Sequence, residues 1–350
     1  MLVFKKILTI VIIVQSMRRH KVVIWIFTSK CNLDCLHCYA KRFSLDHELS
    51  LDDKLRIVEA FREVNIQHVG LSGGEVTIHK HFEPVLRKLY SENLSISLVT
   101  NAICINDKIA GLLRKCDVFV YISLDGDKES HEGLRGRGTW DRTIRGIETL
   151  RKHGVNFGTV MAIGKLNFSK VESFIETSLK LEAERINIIP IMPSGKARLN
   201  NVYIDSLTFK KVLEKLDSIT KTLNINVNVW CAPFTYLIAK SGRLRTFSCK
   251  LAPSVDLDPS GNLLLCDVID YVVSRVVEGN FKKAYHEYVS NDVVNKLLAS
   301  IPEECKDCEI ADYCRGGCFA RSYLSSGNLF KPDPLCPRVN NLISEQSFNL

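Results

Sequence analysis

Three cysteines within eight residues constrain this 350-residue chain more than any other feature. Cys31, Cys35 and Cys38 come directly after the apolar run Val22–Phe27, so they stand at the C-terminal end of a predicted strand. A tetrahedral zinc site needs four ligands, and an iron–sulfur cluster takes one thiolate for each iron. A loop with three thiols therefore leaves one iron open to bind a substrate, although three buried thiols can also serve only as small packing residues.

The cysteine content of the whole chain favours metal binding over disulfides. The chain has 13 cysteines, grouped in CxxxCxxC and CxxC units. Disulfide frameworks are typical of small secreted domains, whereas clustered cysteines in a long chain are typical of metal sites. We therefore expect a reducing, cytoplasmic compartment.

The charge of the chain is positive but dispersed, with a net value of +8. Because there is no basic arm and no long positive block, a nucleic-acid partner is not expected. The charge suits an anionic substrate or an acidic partner, or is only a solvated surface.

The N-terminal residues 1–19 differ from the rest of the chain. Lys5 and Lys6 precede the apolar run Ile7–Val14, which resembles the core of a signal peptide. The run lacks a small-residue cleavage site and is far shorter than the ~20 apolar residues of a membrane span. We expect an apolar tail, or a true start at Met17, and no stable membrane span.

From Val22 onward, apolar strand-like runs alternate with helical patterns. The predicted strands are Val22–Phe27, His68–Leu71, Leu94–Val99, Val118–Leu124, Phe157–Ile163 and Arg185–Pro190. The predicted helices are Leu51–Val64, Phe82–Tyr90, Asn106–Arg114, Asp141–His153, Ser169–Leu181 and Ser206–Leu223. Strand–helix units in series predict a parallel sheet with right-handed crossovers. Six units are fewer than the eight of a closed barrel, so we expect an α/β fold with an open, partial (β/α)6 barrel over residues 20–225.

A second, smaller domain is predicted over residues 226–345. The regular alternation stops there, a hairpin signal surrounds Pro259–Asn262, and the sequence beyond Ile301 is rich in loops and cysteines. The segment beyond Ile301 has so little periodic apolar pattern that it is expected to bury little core and to depend on metal for its stability.

Polar residues follow the predicted strands at the end where a barrel carries its active site. Gly73, Gly74 and Glu75 follow the second strand, Asn101 follows the third, and Ser123 ends the fourth. Two glycines leave room for a ligand against the backbone, and a carboxylate can bind an amino group. The amide and the hydroxyl can contact a ligand, or can only cap a helix or a turn.

Residues 20–225 resemble the radical S-adenosylmethionine (radical SAM) superfamily in the cysteine motif, the Gly-Gly-Glu loop and the six strand–helix units. The resemblance implies a [4Fe–4S] cluster on Cys31, Cys35 and Cys38, whose open iron binds the amino and carboxylate groups of S-adenosylmethionine. In this family, reductive cleavage of S-adenosylmethionine yields methionine and a 5′-deoxyadenosyl radical, which abstracts a hydrogen atom. This cleavage needs a strong reductant, and the reduction potentials of iron–sulfur clusters extend down to about −700 mV. A low-potential electron donor of the ferredoxin or flavodoxin type is also implied.

The resemblance also implies contacts to S-adenosylmethionine at named positions. The amino group of S-adenosylmethionine would contact Gly73, Gly74 and Glu75. The backbone of Tyr39 would lie near the adenine, and Asn101 would lie at the end of the next strand. Ser123 and Arg135 match the polar positions near the methionine carboxylate. Arg135 can also lie in a solvated turn.

The C-terminal cysteines resemble the seven-cysteine pattern of the SPASM domain, an extension that binds two auxiliary iron–sulfur clusters, expected as [4Fe–4S]. One cluster would be held by Cys305, Cys308, Cys314 and Cys336. The other would take Cys249, Cys266 and Cys318, with Cys231 as the candidate fourth ligand or with an open iron. Thiolates at such spacings also suit a pair of structural zinc sites.

The resemblance as a whole implies a radical SAM/SPASM oxidoreductase. Asp267 matches a position that serves as a base in sulfatase-maturating members, or is a hairpin-end carboxylate facing water. Two substrate classes remain open: a peptide or protein side chain, which is favoured, and an anionic cofactor precursor such as a tetrapyrrole of the haem pathway. A non-catalytic iron–sulfur or zinc protein that transfers electrons would leave the Gly-Gly-Glu loop unexplained.

Overall fold

A single sheet of eleven strands organises the computed structural model, which describes residues 20–43 and 47–340. In chain order the strands are β1 Val22–Thr28, β2 His68–Gly73, β3 Ser95–Thr100, β4 Phe119–Ser123, β5 Phe157–Ile163, β6 Arg185–Pro190, β7 Val227–Val229, β8 Leu244–Arg245, β9 Ser254–Leu257, β10 Asn262–Leu264 and β11 Val272–Arg275. Their order in the sheet is β11-β10-β9-β1-β2-β3-β4-β5-β6-β7-β8. Neighbours from β9 through β1 to β8 are parallel, and β10 is antiparallel to both of its neighbours.

Helices follow β1 to β6 in turn, which confirms the six predicted strand–helix units. Within the described residues the α-helices are α1 Leu51–Glu63, α2 Phe82–Ser91, α3 Asp107–Lys115, α4 Lys128–Arg135, α5 Thr139–Lys152, α6 Val171–Lys180, α7 Lys196–Leu199, α8 Ser206–Leu223, α9 Phe281–Ser290, α10 Asp292–Ala299, α11 Ala311–Cys314 and α12 Phe319–Ser326. Several begin at side-chain caps; the Ser50 hydroxyl, for example, accepts from the Asp53 N–H at 3.1 Å. The tail predicted for residues 1–19 lies outside the described residues. No helix in the described ranges has the length and apolar character needed to cross a membrane.

Alternate strand residues face opposite sides of the sheet, as the strand period requires. One set packs beneath the helices: Trp25, for example, lies 5.9 Å from the Phe61 ring of α1, centroid to centroid. The other set faces a concave side. There the Tyr121 ring of β4 lies 5.1 Å from the ring of Trp230, which follows β7, although β5 and β6 separate these strands in the sheet. The sheet therefore curls into the predicted partial barrel.

The C-terminal part contributes more to the core than its sequence predicts. Strand β9 pairs in parallel with β1, so the predicted hairpin extends the barrel sheet. Helix α9 buries Phe281, Tyr285 and Tyr288 in the main core, and the Phe281 ring lies 4.9 Å from the Phe61 ring. Each such side chain contributes roughly 1.5–3 kcal/mol by burial. Residues 254–299 therefore pack into the barrel core, whereas the expectation of little core concerns only the segment beyond Ile301.

Candidate active site

The first cysteine loop, residues 31–38, is fastened to the end of β2. The backbone N–H of Gly74 donates to Thr28 O over 2.7 Å, and the N–H of Glu75 donates to Lys30 O over 2.7 Å. These two bonds continue the β1–β2 pairing up to the residue before Cys31. The predicted Gly-Gly-Glu loop and the cysteine loop therefore lie side by side.

The two glycines of this loop are required by a close approach of backbone to backbone. A Cβ on Gly74 would stand 2.0 Å from Lys30 O, and a Cβ on Gly73, whose φ is +129°, would stand 2.4 Å from Thr28 O. The space left by the missing side chains is therefore filled by the chain itself. This physical reason differs from the predicted one, room for a ligand.

The three thiols of the first cysteine loop are close enough for their charges to interact. Burial raises the pKa of the Cys31 thiol to about 11, and the charges of Glu75 and of the other two cysteines raise it further. Burial also raises the pKa of Cys35, where a nearby arginine, Arg135, acts in the opposite direction. Three thiols on one loop match the donor set of a cluster with one free iron.

Glu75 is buried and joins the ends of β2 and β3. Its Oε1 accepts from the hydroxyls of Thr77, at 2.5 Å, and Thr100, at 2.8 Å, and its Oε2 accepts from the Asn101 N–H at 2.9 Å. Burial raises the pKa of this carboxyl against the opposing effect of these donors. The Thr77 N–H also donates to Oε1, at 3.2 Å, so Oε1 has three donors and Oε2 has one. The remaining acceptor site of the carboxylate is therefore on Oε2, which is where a ligand amino group could bind.

Asn101 ties the third strand end to the first cysteine loop. Its Nδ2 donates to Asn32 Oδ1 at 2.8 Å, and Asn32 Nδ2 in turn donates to Cys104 Sγ at 3.3 Å. Asn32 and Cys104 were not predicted as site residues. Their only sequence signal is their place in loops that follow β1 and β3.

Arg135 lies beneath the first cysteine loop rather than in a solvated turn. Its Nε donates to Asp125 Oδ2 at 2.6 Å, and both side chains are nearly or fully buried. Burial opposes ionisation of Asp125, but Arg135 and His37 outweigh it and lower the pKa of the carboxyl. The predicted contact of Arg135 with a methionine carboxylate stays a prediction. Asp125 was missed as a site residue, although its strand-end position signals it.

Asp267 is half-buried and is hydrogen-bonded to the residue that follows the first cysteine loop. Tyr39 Oη donates to Asp267 Oδ2 at 2.6 Å, and the Asp267 N–H donates to Asp256 Oδ2 at 2.8 Å. Burial raises the pKa of Asp267, while Tyr39 and Arg42 act to lower it. Burial and the charge of Asp267 raise the pKa of Asp256 to about 8. A pair of adjacent carboxyls therefore stands beside Tyr39.

Four C-terminal cysteines, Cys305, Cys308, Cys314 and Cys336, line one cavity, and we call them the outer cysteine group. The cavity encloses about 360 Å³, including its open mouth, and Leu237, Pro332 and Val339 complete its apolar wall. Burial and the charge of Cys336 raise the pKa of Cys314 to about 12. Four thiols around one cavity match the donor set predicted for one auxiliary cluster.

A second set, Cys231, Cys249, Cys266 and Cys318, forms the inner cysteine group. After burial, the charge of Cys318 raises the pKa of each of the other three thiols. Cys231 follows β7 in a left-handed conformation, with φ of 55°. Cys231, remote in sequence, thus lies close enough to Cys249 and Cys318 for their charges to interact, and its role as the fourth ligand stays a prediction.

Comparison with known proteins agrees with this geometry. The radical SAM superfamily model matches residues 25–177. The AdoMet-dependent heme synthase of Methanosarcina barkeri is 24% identical over 340 residues, which cover 90% of this chain and 96% of that protein. The mycofactocin maturase MftC of Mycolicibacterium smegmatis is 24% identical over 341 residues, which cover 89% of this chain and 81% of that protein.

Two solved structures share the fold over most of this chain. The native anSMEcpe structure with bound AdoMet and Cp18Cys peptide has a TM-score of 0.72 at 20% identity and covers 92% of this chain and 95% of its own. Streptococcus suis SuiB bound to precursor peptide SuiA has a TM-score of 0.72 at 14% identity and covers 93% of this chain and 78% of its own. Residues 25–177 of this chain form a radical SAM domain, the chain is an enzyme, and its cysteine-rich C-terminal region is consistent with the SPASM type.

Proposed function

We propose that this radical SAM enzyme abstracts a hydrogen atom from a peptide or protein side chain and promotes oxidation or coupling of the substrate radical. The observation that carries the proposal is the placement of the three-thiol loop against the Gly-Gly-Glu loop at the C-terminal edge of the sheet. When bound, an iron–sulfur cluster and S-adenosylmethionine supply a 5′-deoxyadenosyl radical at this edge.

The residues around the first cysteine loop have separate roles in this proposal. Cys31, Cys35 and Cys38 hold three irons of a [4Fe–4S] cluster. Glu75 receives the amino group of S-adenosylmethionine, and Arg135 balances the negative charge of the thiolates from below. Asn101 holds the loop in register through Asn32. Gly73, Gly74, Ser123 and the Tyr39 backbone are proposed as further contacts.

The inner and outer cysteine groups are proposed as the ligands of two auxiliary clusters. Their donor sets fit, with four thiols each and no shared cysteine. Cys231 supplies the fourth inner thiol, so every inner iron has a protein ligand. The auxiliary clusters would then accept an electron from the substrate radical rather than bind substrate.

Asp267 is proposed as the base that removes a proton from the substrate. Its carboxylate is held by Tyr39, the residue that follows the first cysteine loop, so it faces the side on which the radical forms. The hydrogen bond from Tyr39 favours the ionised form, which is the form that accepts a proton.

The concave face of the barrel supports a polypeptide substrate. The inward positions of β1 to β7 include Ile26, Ser72, Val99, Ser123, Ala162 and Ile189. Among the inward positions of these described strands, the one charged side chain is Arg185, which is held over the Phe119 ring at 4.4 Å and donates to Tyr121 Oη at 3.0 Å. A substrate with several carboxylates needs cations inside the barrel, whereas a peptide side chain does not.

A tetrapyrrole substrate is the second candidate function. The likeness to AdoMet-dependent heme synthase spans nearly the whole chain, and the net charge of +8 suits an anionic substrate. Offering candidate peptides and iron coproporphyrin in parallel under reducing conditions separates the two. Consumption of iron coproporphyrin alone would contradict the peptide proposal.

The experiment that tests the proposal is anaerobic reconstitution followed by iron analysis and assay of 5′-deoxyadenosine. We expect about twelve irons per chain, by the count of one thiolate per iron with one iron left open. A flavodoxin or ferredoxin should support cleavage as the electron donor in a cytoplasmic setting. Replacing Cys31, Cys35 and Cys38 with alanine should abolish 5′-deoxyadenosine and leave about eight irons.

The matched control is Cys116→Ala, which removes a buried thiol at the end of α3, away from all three cysteine groups. It should keep the full iron content and the cleavage activity. Colourless protein that contains zinc would refute the enzyme proposal and favour a structural metal protein.

A further inference from the structure

A buried ion pair lies between the inner and outer cysteine groups. Arg321 Nη1 lies 2.5 Å from Asp333 Oδ2, and the exposed fractions of the two side chains are 3% and 0%. Neither residue is a thiol ligand, and the proposed function gives neither a role. An ion pair this deeply buried is costly to form, so a pair with no function would be a poor source of stability.

Asp333 fixes backbone that belongs to both groups. Its Oδ2 accepts from the Cys318 N–H at 2.9 Å, and its Oδ1 accepts from the Leu335 N–H at 2.9 Å, next to Cys336. A Cβ on Gly317 would stand 2.3 Å from Asp333 Cβ, so only glycine admits the carboxylate here. The carboxylate therefore occupies a fixed place between a ligand of the inner group and a ligand of the outer group.

Arg321 is directed toward the inner group. Its Nη2 donates to Cys231 O at 3.1 Å, and its Nε is buried without a hydrogen-bond partner in the described part of the chain. The Arg321 charge lowers the pKa values of Cys231 and Cys318 against the larger effect of burial. The guanidinium is therefore a positive charge next to Cys231 and Cys318, while Lys250 is the positive charge beside Cys249.

Asp333 acts on the outer group with the opposite sign. After burial, its negative charge contributes to the raised pKa values of Cys314 and Cys336. It also raises the pKa of Cys318, but there the opposing effect of Arg321 is larger. The ion pair is thus oriented, with its positive end at the inner group and a negative end that reaches the outer group. A positive charge beside a cluster favours the reduced state, which carries one more negative charge, and a negative charge disfavours it.

We propose that the Arg321–Asp333 pair is a fixed dipole that raises the reduction potential at the inner cysteine group and lowers it at the outer one. Arg321 and Asp333 are positioning residues, because neither ligates a cluster. The dipole makes the cluster at the inner group the preferred acceptor of an electron from the substrate. Cys266 of this group directly precedes Asp267 in the chain. This inference rests on the proposed function, since it requires a cluster at each group.

The test is a redox titration of the two auxiliary clusters, monitored by electron paramagnetic resonance. The background is the Cys31→Ala/Cys35→Ala/Cys38→Ala chain, so that the first cluster does not contribute a signal. A further Cys305→Ala/Cys308→Ala variant removes the outer cluster and identifies which of the two waves is the inner one. The variants are Arg321→Gln, Arg321→Lys and Asp333→Asn.

We expect Arg321→Gln to lower the inner potential and Asp333→Asn to raise the outer potential. At a fixed solution potential, each substitution should change the ratio of reduced to oxidised cluster by about tenfold, equivalent to about 59 mV for a one-electron couple. Arg321→Lys keeps the charge and should keep the inner potential near that of the parent. Lys282→Gln is the matched control: it removes an exposed charge of α9 that is paired with Glu63 of α1, and it should shift neither wave.

The outcomes separate this inference from the proposed function. A parent without two auxiliary clusters overturns both. A parent with both clusters, whose potentials stay unchanged in Arg321→Gln and Asp333→Asn, overturns only the dipole. If Arg321→Gln fails to hold its inner cluster, the potentials measured for Arg321→Lys and Asp333→Asn decide. A shift of both auxiliary potentials by the same amount in one direction refutes the dipole. Loss of clusters in all three variants shows a purely structural pair and likewise overturns the inference.

Discussion

Replacing Gly74 with alanine tests whether the first cysteine site depends on backbone contact between the ends of β1 and β2. The new Cβ would stand 2.0 Å from Lys30 O and 2.6 Å from Lys30 C, distances at which the backbone must move. The backbone conformation of Gly74 is not left-handed, so the clash alone causes the effect. Relief of the clash must displace the residue that precedes Cys31.

The expected destabilisation follows from two contributions. Overpacking a tight site costs about 1–3 kcal/mol. Moving the segment also weakens the bonds from Gly74 N to Thr28 O and from Glu75 N to Lys30 O, at about 1 kcal/mol each. We therefore expect the free energy of unfolding to fall by about 3–5 kcal/mol.

Urea denaturation of the metal-free protein measures this free energy, and iron content with 5′-deoxyadenosine formation measures the site. We expect Gly74→Ala to lose the first cluster and to retain the auxiliary ones, because the displacement is confined to the β1–β2 edge. Gly133→Ala is the matched control, since a Cβ on this α4 residue meets nothing within 4 Å. Alanine in a helix should stabilise the control by roughly 0.5–1 kcal/mol. Parent-like stability and full iron content in Gly74→Ala would refute the argument.

Three further predictions address the carboxyls and the core. Glu75→Gln should weaken binding of S-adenosylmethionine and lower the free energy of unfolding by about 1–3 kcal/mol, because the buried donors lose a charged acceptor. Calorimetry measures the affinity and denaturation measures the stability, and an unchanged affinity would contradict the proposed contact. Asp256 has a pKa of about 8 against an ordinary 3.8, so between these pH values the unfolded chain binds fewer protons than the folded one, and the free energy of unfolding falls as pH rises. Asp256→Asn should flatten this decline in metal-free protein, and an unchanged slope would contradict the prediction. Phe281→Ala should cost about 3–5 kcal/mol while urea unfolding keeps a single transition, because Phe281 of α9 packs on Phe61 of α1; separate transitions would show that the C-terminal part folds independently.

The strand–helix pattern was readable from the sequence because it is local. The strands Phe157–Ile163 and Arg185–Pro190 and the helix Ser206–Leu223 have the predicted bounds. Their apolar residues recur at the period of their own element, and this signal needs no knowledge of the partners. The cysteine ligand sets came instead from the resemblance to the radical SAM superfamily and the SPASM domain, because local spacing alone does not assign Cys231, Cys249, Cys266 and Cys318 to one group.

The parts that escaped prediction depend on partners remote in sequence. The pairing of β9 with β1 joins residues more than 200 positions apart, and no local pattern distinguishes it from pairing within a separate domain. The buried pairs Arg135–Asp125 and Arg321–Asp333 join charges whose partners the sequence did not predict, although Arg135 itself was a candidate contact. Only the fold shows that the first pair lies beneath the first cysteine loop and the second between the inner and outer cysteine groups.

The pairing of β9 with β1 has a consequence for how the three cysteine groups can work together. Strand β1 leads into the first cysteine loop, and the β9–β10 hairpin leads to Cys266 and Asp267 of the inner group. Because both segments are hydrogen-bonded in one sheet, the distance between the first loop and the inner group is set by backbone pairing and not by a flexible linker. The Tyr39–Asp267 bond closes the same link through side chains. Under the proposed function, one sheet would place a substrate between the two, with the proposed base and the proposed electron acceptor on the side where its hydrogen atom is removed.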